Sequence, residues 1–486
     1  MVKYIFNPRY VLRHENEKSL ILMKPDYLTA NKIHVIHPVY AMMLSFFNGT
    51  SIDEAVDGIV KYFNVSKENV KKTITLLINN ENMVSGTKGV FPPKTIIEYD
   101  KSMPKHNYRT EQFLYNEINL VLDRLKVPSD IICNITMKCA TDCFYCYADR
   151  KNNITKELSI EMIYKILDDA RNIGVVSFKI MGGDIFVYKD WYKLLQKLHE
   201  CDYSPCISTK IPFGERHIEA IKKFNIDKYP IQISLDTLIK EHLYDILNVH
   251  GSYIDKLLKT FELLEKYEIK YLINTVISKK NDSIEDIKSL ENFLVNKKFL
   301  VEWDLNPAKC SMYLRKPYSA YKPSIENIRK INEYLRDKIS KGSYNFKVNL
   351  PGIITDKNKL SIEEKKEKFK KRNPCSANLS ALYILPDGKV TICEELYWHP
   401  NFILGDLATQ SLTEIWNSQK AKELFYQDQS KIRKESYCSK CEDFVSCRKY
   451  LHVCWRDIIL AYGNENWDYP DIHCPYAPKV TRNISM

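Results

Sequence analysis

The segment NITMKCATDCFYCYADRK, residues 134–151, holds three cysteines within eight positions, Cys139, Cys143 and Cys146, in the spacing C-x3-C-x2-C. Thiolates this close together on a loop can converge on one inorganic centre, and iron–sulfur clusters are held by cysteine thiolates. Three ligands for a cluster of about four irons leave one iron open to substrate or cofactor, which points to catalysis more than to electron transfer alone. A zinc knuckle would draw on the same thiols. The loop directly follows DIICNITMKC, an apolar run that reads as a strand, so the fold must deliver a strand end at this point.

The middle of the chain continues in the same style. VVSFKIMGGD, SPCISTKIP, YPIQISLD, KYLINTVIS and LVEWDLNPA are further strand-like runs separated by amphipathic helical stretches. Six strands alternating with helices predict an α/β fold, a partial (β/α)6 TIM-like barrel over residues 126–310, with functional residues at the C-terminal strand ends. Those ends carry Gly182, Gly183 and Asp184, then Ser208 and Thr209, then Ser234 and Asp236. Glycines at a strand end let backbone approach a ligand closely. Cys310, in NPAKCSMY, follows the sixth strand at the expected barrel mouth, whereas Cys133 and Cys206 lie inside strand-like runs and read as small buried hydrophobes.

Residues 1–92 read as a separate small module. KYIFNPRYVLRH and KSLILMKP are strand-like, and SIDEAVDGIVKYF starts with Ser51 and Glu54 in capping-box spacing. Ile52, Ala55, Val56, Ile59, Val60 and Phe63 make one helical stripe, Val70, Ile74, Leu77 and Ile78 a second, and MVSGTKGVF reads as a turn-containing wing. The result is winged-helix-like, a shape that also serves DNA binding. FPPKTIIEYDKSMPKHNY reads as a linker, assigned to residues 93–125. Residues 311–374 form a bridging helical region, and residues 375–486 a cysteine-rich extension.

Composition narrows the function classes. A chain of 486 residues with 14 cysteines and no signal-like start is expected in the reducing cytoplasm, where cysteines serve metal or redox chemistry before disulfides. No run of about eighteen apolar residues predicts a membrane span. The formal net charge is +11, but the basic residues are spread out and form no recognition helix, so a nucleic-acid partner is not expected. An acidic peptide or an anionic cofactor would suit the same charge.

The C-x3-C-x2-C loop, with Tyr145 just before its last cysteine, resembles the signature of the radical S-adenosylmethionine family. The resemblance implies a [4Fe–4S] cluster on Cys139, Cys143 and Cys146, whose fourth iron is chelated by S-adenosylmethionine. Gly182, Gly183 and Asp184 resemble the family's GGE segment, which holds the methionyl amine, with Asp one methylene shorter than the usual Glu. Tyr145, Ser208, Thr209, Ser234 and Asp236 resemble cofactor-contacting positions. Relatives often place an arginine about thirteen residues after the serine of SLD; this chain has Leu247 there.

The cysteine-rich end resembles the SPASM extension of such enzymes. Cys375-x12-Gly388-x4-Cys393 precedes Cys438-x2-Cys441-x5-Cys447-x6-Cys454 and then Cys474, the family's last spacing of three being lengthened to six. The resemblance implies two auxiliary [4Fe–4S] clusters, one on Cys375, Cys393 and Cys454 with an iron left for a substrate thiol, the other on Cys438, Cys441, Cys447 and Cys474. Zinc would also suit the second set. The N-terminal module resembles the leader-recognition element of maturases of ribosomally made peptides, where a leader adds as a strand to a sheet edge. Together these imply a radical peptide maturase that abstracts a hydrogen from a precursor peptide and forms a crosslink, a cysteine thioether being expected. Carbon–carbon crosslinking, epimerisation and side-chain oxidation use the same apparatus; a leader-binding electron-transfer partner with no radical step is the remaining reading. The implied partners are the precursor peptide and an electron donor such as flavodoxin or ferredoxin, and Cys310 is a candidate hydrogen donor or peptide contact.

Overall fold

The structure is a computed structural model that describes residues 2–24, 33–86, 88–149, 156–313, 317–352, 360–371, 375–448 and 453–480. It divides into two compact units, Met1–Ser129 and Asp130–Met486.

The first unit contains β1 (Tyr4–Phe6), β2 (Tyr10–His14), β3 (Ser19–Met23), β4 (Ile33–Ile36), α1 (Pro38–Leu44), β5 (Asn48–Thr50), α2 (Ile52–Phe63), α3 (Lys67–Thr75), β6 (Val84–Gly86), β7 (Gly89–Phe91) and β8 (Ile96–Glu98). The helix expected after Ser51 is α2, and its capping box is complete: the Glu54 carboxylate accepts from Ser51 N at 2.7 Å while Ser51 Oγ accepts from Glu54 N. Such a cap stabilises a helix by about 1 kcal/mol. Asn64 closes the helix in the left-handed region at φ 52°. Ala55, Val56 and Ile59 are buried in one core with Val70, Ile74 and Leu77.

Two sheets surround that core, in orders β5-β1-β8 and β2-β3-β4-β7-β6. The stretch read from sequence as a linker is built into the unit. β8 pairs antiparallel with β1, Phe113 is buried in the core, and Tyr108 Oη accepts from Leu12 N at 3.0 Å. Its prolines and charges suggest a linker, but IIE is long enough to close an open sheet edge.

The second unit runs β9 (Asp130–Asn134), α4 (Ile160–Asn172), β10 (Ser177–Met181), α5 (Trp191–Glu200), β11 (Ser208–Thr209), α6 (Glu215–Lys223), β12 (Ile231–Ser234), α7 (Lys240–Leu247), α8 (Tyr253–Lys266), β13 (Tyr271–Ile277), α9 (Ile284–Leu294), β14 (Leu300–Pro307), α10 (Ile325–Ser340), β15 (Lys347–Asn349), α11 (Ile362–Lys370), β16 (Ala381–Ile384), β17 (Lys389–Thr391), β18 (Gly405–Asp406), α12 (Leu412–Trp416), α13 (Gln419–Phe425), α14 (Phe444–Ser446) and α15 (Trp455–Tyr462). All six expected barrel strands are present. They lie in two sheets, β10-β9-β16-β17-β18 and β11-β12-β13-β14-β15, and every pairing among β9 to β15 is parallel. Ser159, Ser283 and Ser324 cap the helices α4, α9 and α10 that cross between strands.

One feature of this barrel is not local in the sequence. β16, from the cysteine-rich extension, adds in parallel to β9 with Ala381 opposite Asp130, and β17 and β18 continue the sheet antiparallel. The segments expected as barrel, bridge and extension are therefore one compact unit with a shared apolar core. Among the described residues no helix is long and apolar enough to cross a membrane.

Candidate functional site

Register places the chemistry. Met181 at the end of β10 lies opposite Asn134 at the end of β9, so the cysteine loop and the glycine segment leave the sheet side by side. They are in close contact: Gly183 N donates to Thr136 O at 2.7 Å and Asp184 N to Lys138 O at 3.0 Å. The far side of the cysteine loop is tied to the end of α7, where Leu247 O accepts from Asp142 N and Ile246 O from Phe144 N. Leu247, standing where relatives often carry an arginine, is 1% exposed and packed in the core, so it offers no cation to the site.

Within the loop, Thr141 Oγ1 sits 3.6 Å from Cys139 Sγ and 3.3 Å from Cys143 Sγ. Burial pushes the Cys143 thiol up to about 11, against the pull of the nearby Lys210 ammonium. A bound metal would reverse that order by holding the thiolate.

The remaining strand ends converge on the same place through Asp236, which is 1% exposed. Its Oδ2 accepts from Tyr145 Oη at 2.6 Å and from Lys210 Nζ at 3.1 Å, and its Oδ1 from Val276 N at 3.0 Å. The Lys210 ammonium also lies over the Tyr145 ring, 5.6 Å from the centroid. Burial works against that ammonium, but Asp236, Cys143 and Cys139 outweigh it and keep the lysine above its ordinary value. Lys210 does not stand out in the sequence, where ISTK offers one more lysine among 72 basic residues.

Asp184 ties two strand ends together. Its buried carboxylate accepts from Thr209 Oγ1 at 2.6 Å, Lys210 N at 3.1 Å and Phe186 N at 3.1 Å, joining the end of β10 to β11 where no backbone ladder does. Thr209 is thus taken up by Asp184, and exposed Ser208 accepts from Gln232 Nε2. Ser234 is 7% exposed at the end of β12. Beside Gly182, the buried Asn134 Oδ1 has no hydrogen-bond partner among the described residues, which leaves an acceptor at the strand ends.

Cys310 is not displayed at a mouth. It is buried in a small apolar cluster with Tyr318, Tyr321, Leu460 and Ala461, and its carbonyl accepts from Arg456 Nη2. Cys133 is fully buried in β9 and Cys206 half-buried.

The extension gathers its cysteines in two sets. Exposed Cys375 acts electrostatically on both Cys393 and Cys454, whose thiols burial pushes up. Cys438, Cys441, Cys447 and Cys474 line one cavity together with Arg448, another residue that the sequence alone does not single out. Burial, then the other three thiols, pushes Cys474 up to about 12. Among the described residues no three His, Cys, Asp or Glu side chains are placed to share one metal ion. Thiols in sets of three, three and four, with buried cations beside two of them, fit polynuclear iron–sulfur clusters.

The sequence matches known domains over the same segments. The model of the radical SAM superfamily matches residues 133–294, and that of the SPASM iron–sulfur cluster-binding domain residues 375–442. A probable GTP 3',8-cyclase of Archaeoglobus fulgidus is 28% identical over 116 residues, covering 24% of this chain and 38% of that protein. The antilisterial bacteriocin subtilosin biosynthesis protein AlbA of Bacillus subtilis is 23% identical over 318 residues, 65% of either protein. The chain thus spans 38% and 65% of the length of these curated relatives. Streptococcus suis SuiB, solved with S-adenosylmethionine, superposes with a TM-score of 0.64 at 16% identity over 97% of this chain and 99% of that one. SuiB bound to precursor peptide SuiA gives the same TM-score at 17% identity and the same coverage. Residues 133–294 are therefore a radical S-adenosylmethionine domain and residues 375–442 a SPASM iron–sulfur cluster-binding domain, and the cofactors are S-adenosylmethionine and [4Fe–4S] clusters.

Proposed function

We propose that this chain is a radical peptide maturase that crosslinks a ribosomally made precursor peptide through a cysteine thioether. The observation that carries the reading is the pairing of a three-thiol loop beside a buried Lys210–Asp236 pair with a second set of only three thiols, Cys375, Cys393 and Cys454. The names of AlbA, a bacteriocin biosynthesis protein, and of SuiB bound to a precursor peptide support a peptide substrate.

In this reading Cys139, Cys143 and Cys146 hold the first cluster. S-adenosylmethionine bound there supplies, on one-electron reduction, a 5′-deoxyadenosyl radical that takes a hydrogen atom from the peptide. Lys210 then has a defined role, because its ammonium has donors beyond the one given to Asp236 and can hold the cofactor's carboxylate that Leu247 cannot. Asn134 Oδ1 is an acceptor for the amine, a role the occupied Asp184 carboxylate is less free to perform. Thioether closure removes a second hydrogen, as a proton from the thiol and an electron; the incomplete ligand set on Cys375, Cys393 and Cys454 suits an acceptor that also meets the substrate sulfur. Cys438, Cys441, Cys447 and Cys474 hold the other auxiliary cluster.

The first unit would grip the leader. Of its two outer strands in the larger sheet, β2 already gives Leu12 N to Tyr108, whereas β6 is exposed at Ser85 and Gly86 and follows Met83, 56% exposed. Strand addition along β6 is the docking mode this supports. The test is anaerobic incubation of the reconstituted chain with precursor peptides from small neighbouring reading frames. A product lighter by two hydrogens per crosslink and abolished by prior alkylation of the peptide thiols is expected. A crosslink that survives alkylation would move the reaction to carbon–carbon bonding, and unchanged mass with solvent deuterium uptake would make it an epimerisation.

A further inference from the structure

Arg448 is buried, 6% exposed, immediately after Cys447. Its guanidinium lies over the Phe444 ring, 5.4 Å from the centroid, so one face is covered and the N–H donors are left at the edge. One of them, Nη2, is 3.3 Å from Cys438 Sγ. The other two nitrogens, Nε and Nη1, are buried with no hydrogen-bond partner among the described residues. The carboxylate on the cavity wall, Asp471, is engaged elsewhere, accepting from Cys454 N and from His473 N.

A buried guanidinium with unfilled donors is costly unless an anion meets it. The wall it shares is made of Cys438, Cys441, Cys447 and Cys474. A cluster held by four thiolates is an anion whose thiolate and sulfide sulfurs all accept hydrogen bonds, which is the partner this fork lacks. Reduction by one electron adds a negative charge, so a fixed cation in a low-dielectric wall stabilises the reduced form more than the oxidised one.

We propose that Arg448 donates hydrogen bonds to the sulfurs of the cluster held by Cys438, Cys441, Cys447 and Cys474 and raises its reduction potential. The inference rests on the cluster reading of these four cysteines. The other auxiliary set has no such free fork beside it: Arg456, the half-buried arginine acting on Glu394 beside Cys393, already gives donors to Glu395, Asp457 and the Cys310 carbonyl.

The test is a dithionite titration of the full reconstituted chain followed by electron paramagnetic resonance, the relevant signal being the one lost in Cys441→Ala. Arg448→Met should load the same iron and move that signal's midpoint to more negative potential. Arg448→Lys, which keeps the charge without the fork, should move it in the same direction by less. Lys440→Gln, which removes an exposed cation beside the same cysteines, should leave it in place, because solvent screens that charge. Should Arg448→Met fail to load iron, Arg448→Lys carries the measurement. An unshifted midpoint in the iron-loaded variants overturns the proposal. Zinc in place of iron at these cysteines, visible by metal analysis before any titration, overturns the cluster reading beneath it.

Discussion

Gly183 and Lys138 are in contact through their backbones: a Cβ on Gly183 would stand 1.7 Å from the Lys138 carbonyl oxygen, and one on Gly182, whose φ is +143°, 2.4 Å from Thr136 O. The two glycines are therefore required by the cysteine loop itself. They let residues 136–138 lie across the end of β10, which fixes where the loop bearing Cys139 begins. Close approach of a cofactor is a second use of the same space, not the first.

Gly183→Ala should therefore displace the cysteine loop. Overpacking of this kind costs about 1–3 kcal/mol, and here the atom to be moved is backbone, which cannot rotate away. We expect a lowered melting temperature and, after reconstitution, loss of about four irons with all S-adenosylmethionine cleavage. Gly214→Ala is the control: φ is −118° and nothing lies within 4 Å of its Cβ, so iron and cleavage should be unchanged.

What could be read from the sequence follows how local each signal is. Ser51 and Glu54 are three residues apart, and the capping box they imply is present. The six barrel strands are legible for the same reason, each lying in a short run rich in apolar residues, although β11 itself is only Ser208–Thr209. The parallel addition of β16 to β9 joins Ala381 to Asp130, and nothing in either run specifies the other. Lys210 reads as a solvated charge until Asp236, two residues past the end of β12, gives it a buried partner. Asp184 reads as a ligand contact because its position resembles one; that its carboxylate also accepts from Thr209 Oγ1 and Lys210 N is visible only in the fold. Cys454 follows an altered spacing, yet the resemblance already groups it with Cys375 and Cys393, and in the fold Cys375 acts electrostatically on it.

If Lys210 holds the cofactor's carboxylate, Lys210→Met should weaken S-adenosylmethionine binding by roughly 10–100-fold, the worth of a charged hydrogen bond of about 1.5–3 kcal/mol. Iron content should stay constant. The same change strands the buried Asp236 charge, so stability should also fall by about 3–5 kcal/mol. Lys210→Met with Asp236→Asn separates the two effects: melting temperature should recover while cofactor binding, measured by equilibrium dialysis, should not. Recovery of both would make the lysine a structural counter-ion only.

Removing residues 1–129 should abolish tight binding of a leader peptide and leave slow S-adenosylmethionine cleavage, since the cysteine loop and the barrel belong to the other unit. Isothermal titration with a leader-only peptide reads the first and chromatography of 5′-deoxyadenosine the second. A cut after residue 92 should behave worse. It strands β8 without β1 and Phe113 without its core, leaving apolar surface that aggregates. Equal affinity of full-length and 130–486 chains for the leader would assign the first unit another function, with duplex DNA the next ligand to try.

The last prediction separates hydrogen abstraction from bond formation. Abstraction needs only the cysteine loop and the strand ends around Asp236, whereas closing a thioether needs an acceptor for one more electron. Cys393 stands next to Glu394, whose buried carboxyl is pushed up to about 7, and shares its electrostatic neighbourhood with Cys375. If Cys375, Cys393 and Cys454 hold that acceptor, Cys375→Ala or Cys393→Ala should lose up to about four irons and nearly all crosslinked product. 5′-Deoxyadenosine should still form, now uncoupled from product. Chromatography with mass spectrometry measures both in one sample. Crosslinking at the wild-type rate in either variant would remove this set from the reaction and leave the Cys438, Cys441, Cys447 and Cys474 site as the acceptor to test next.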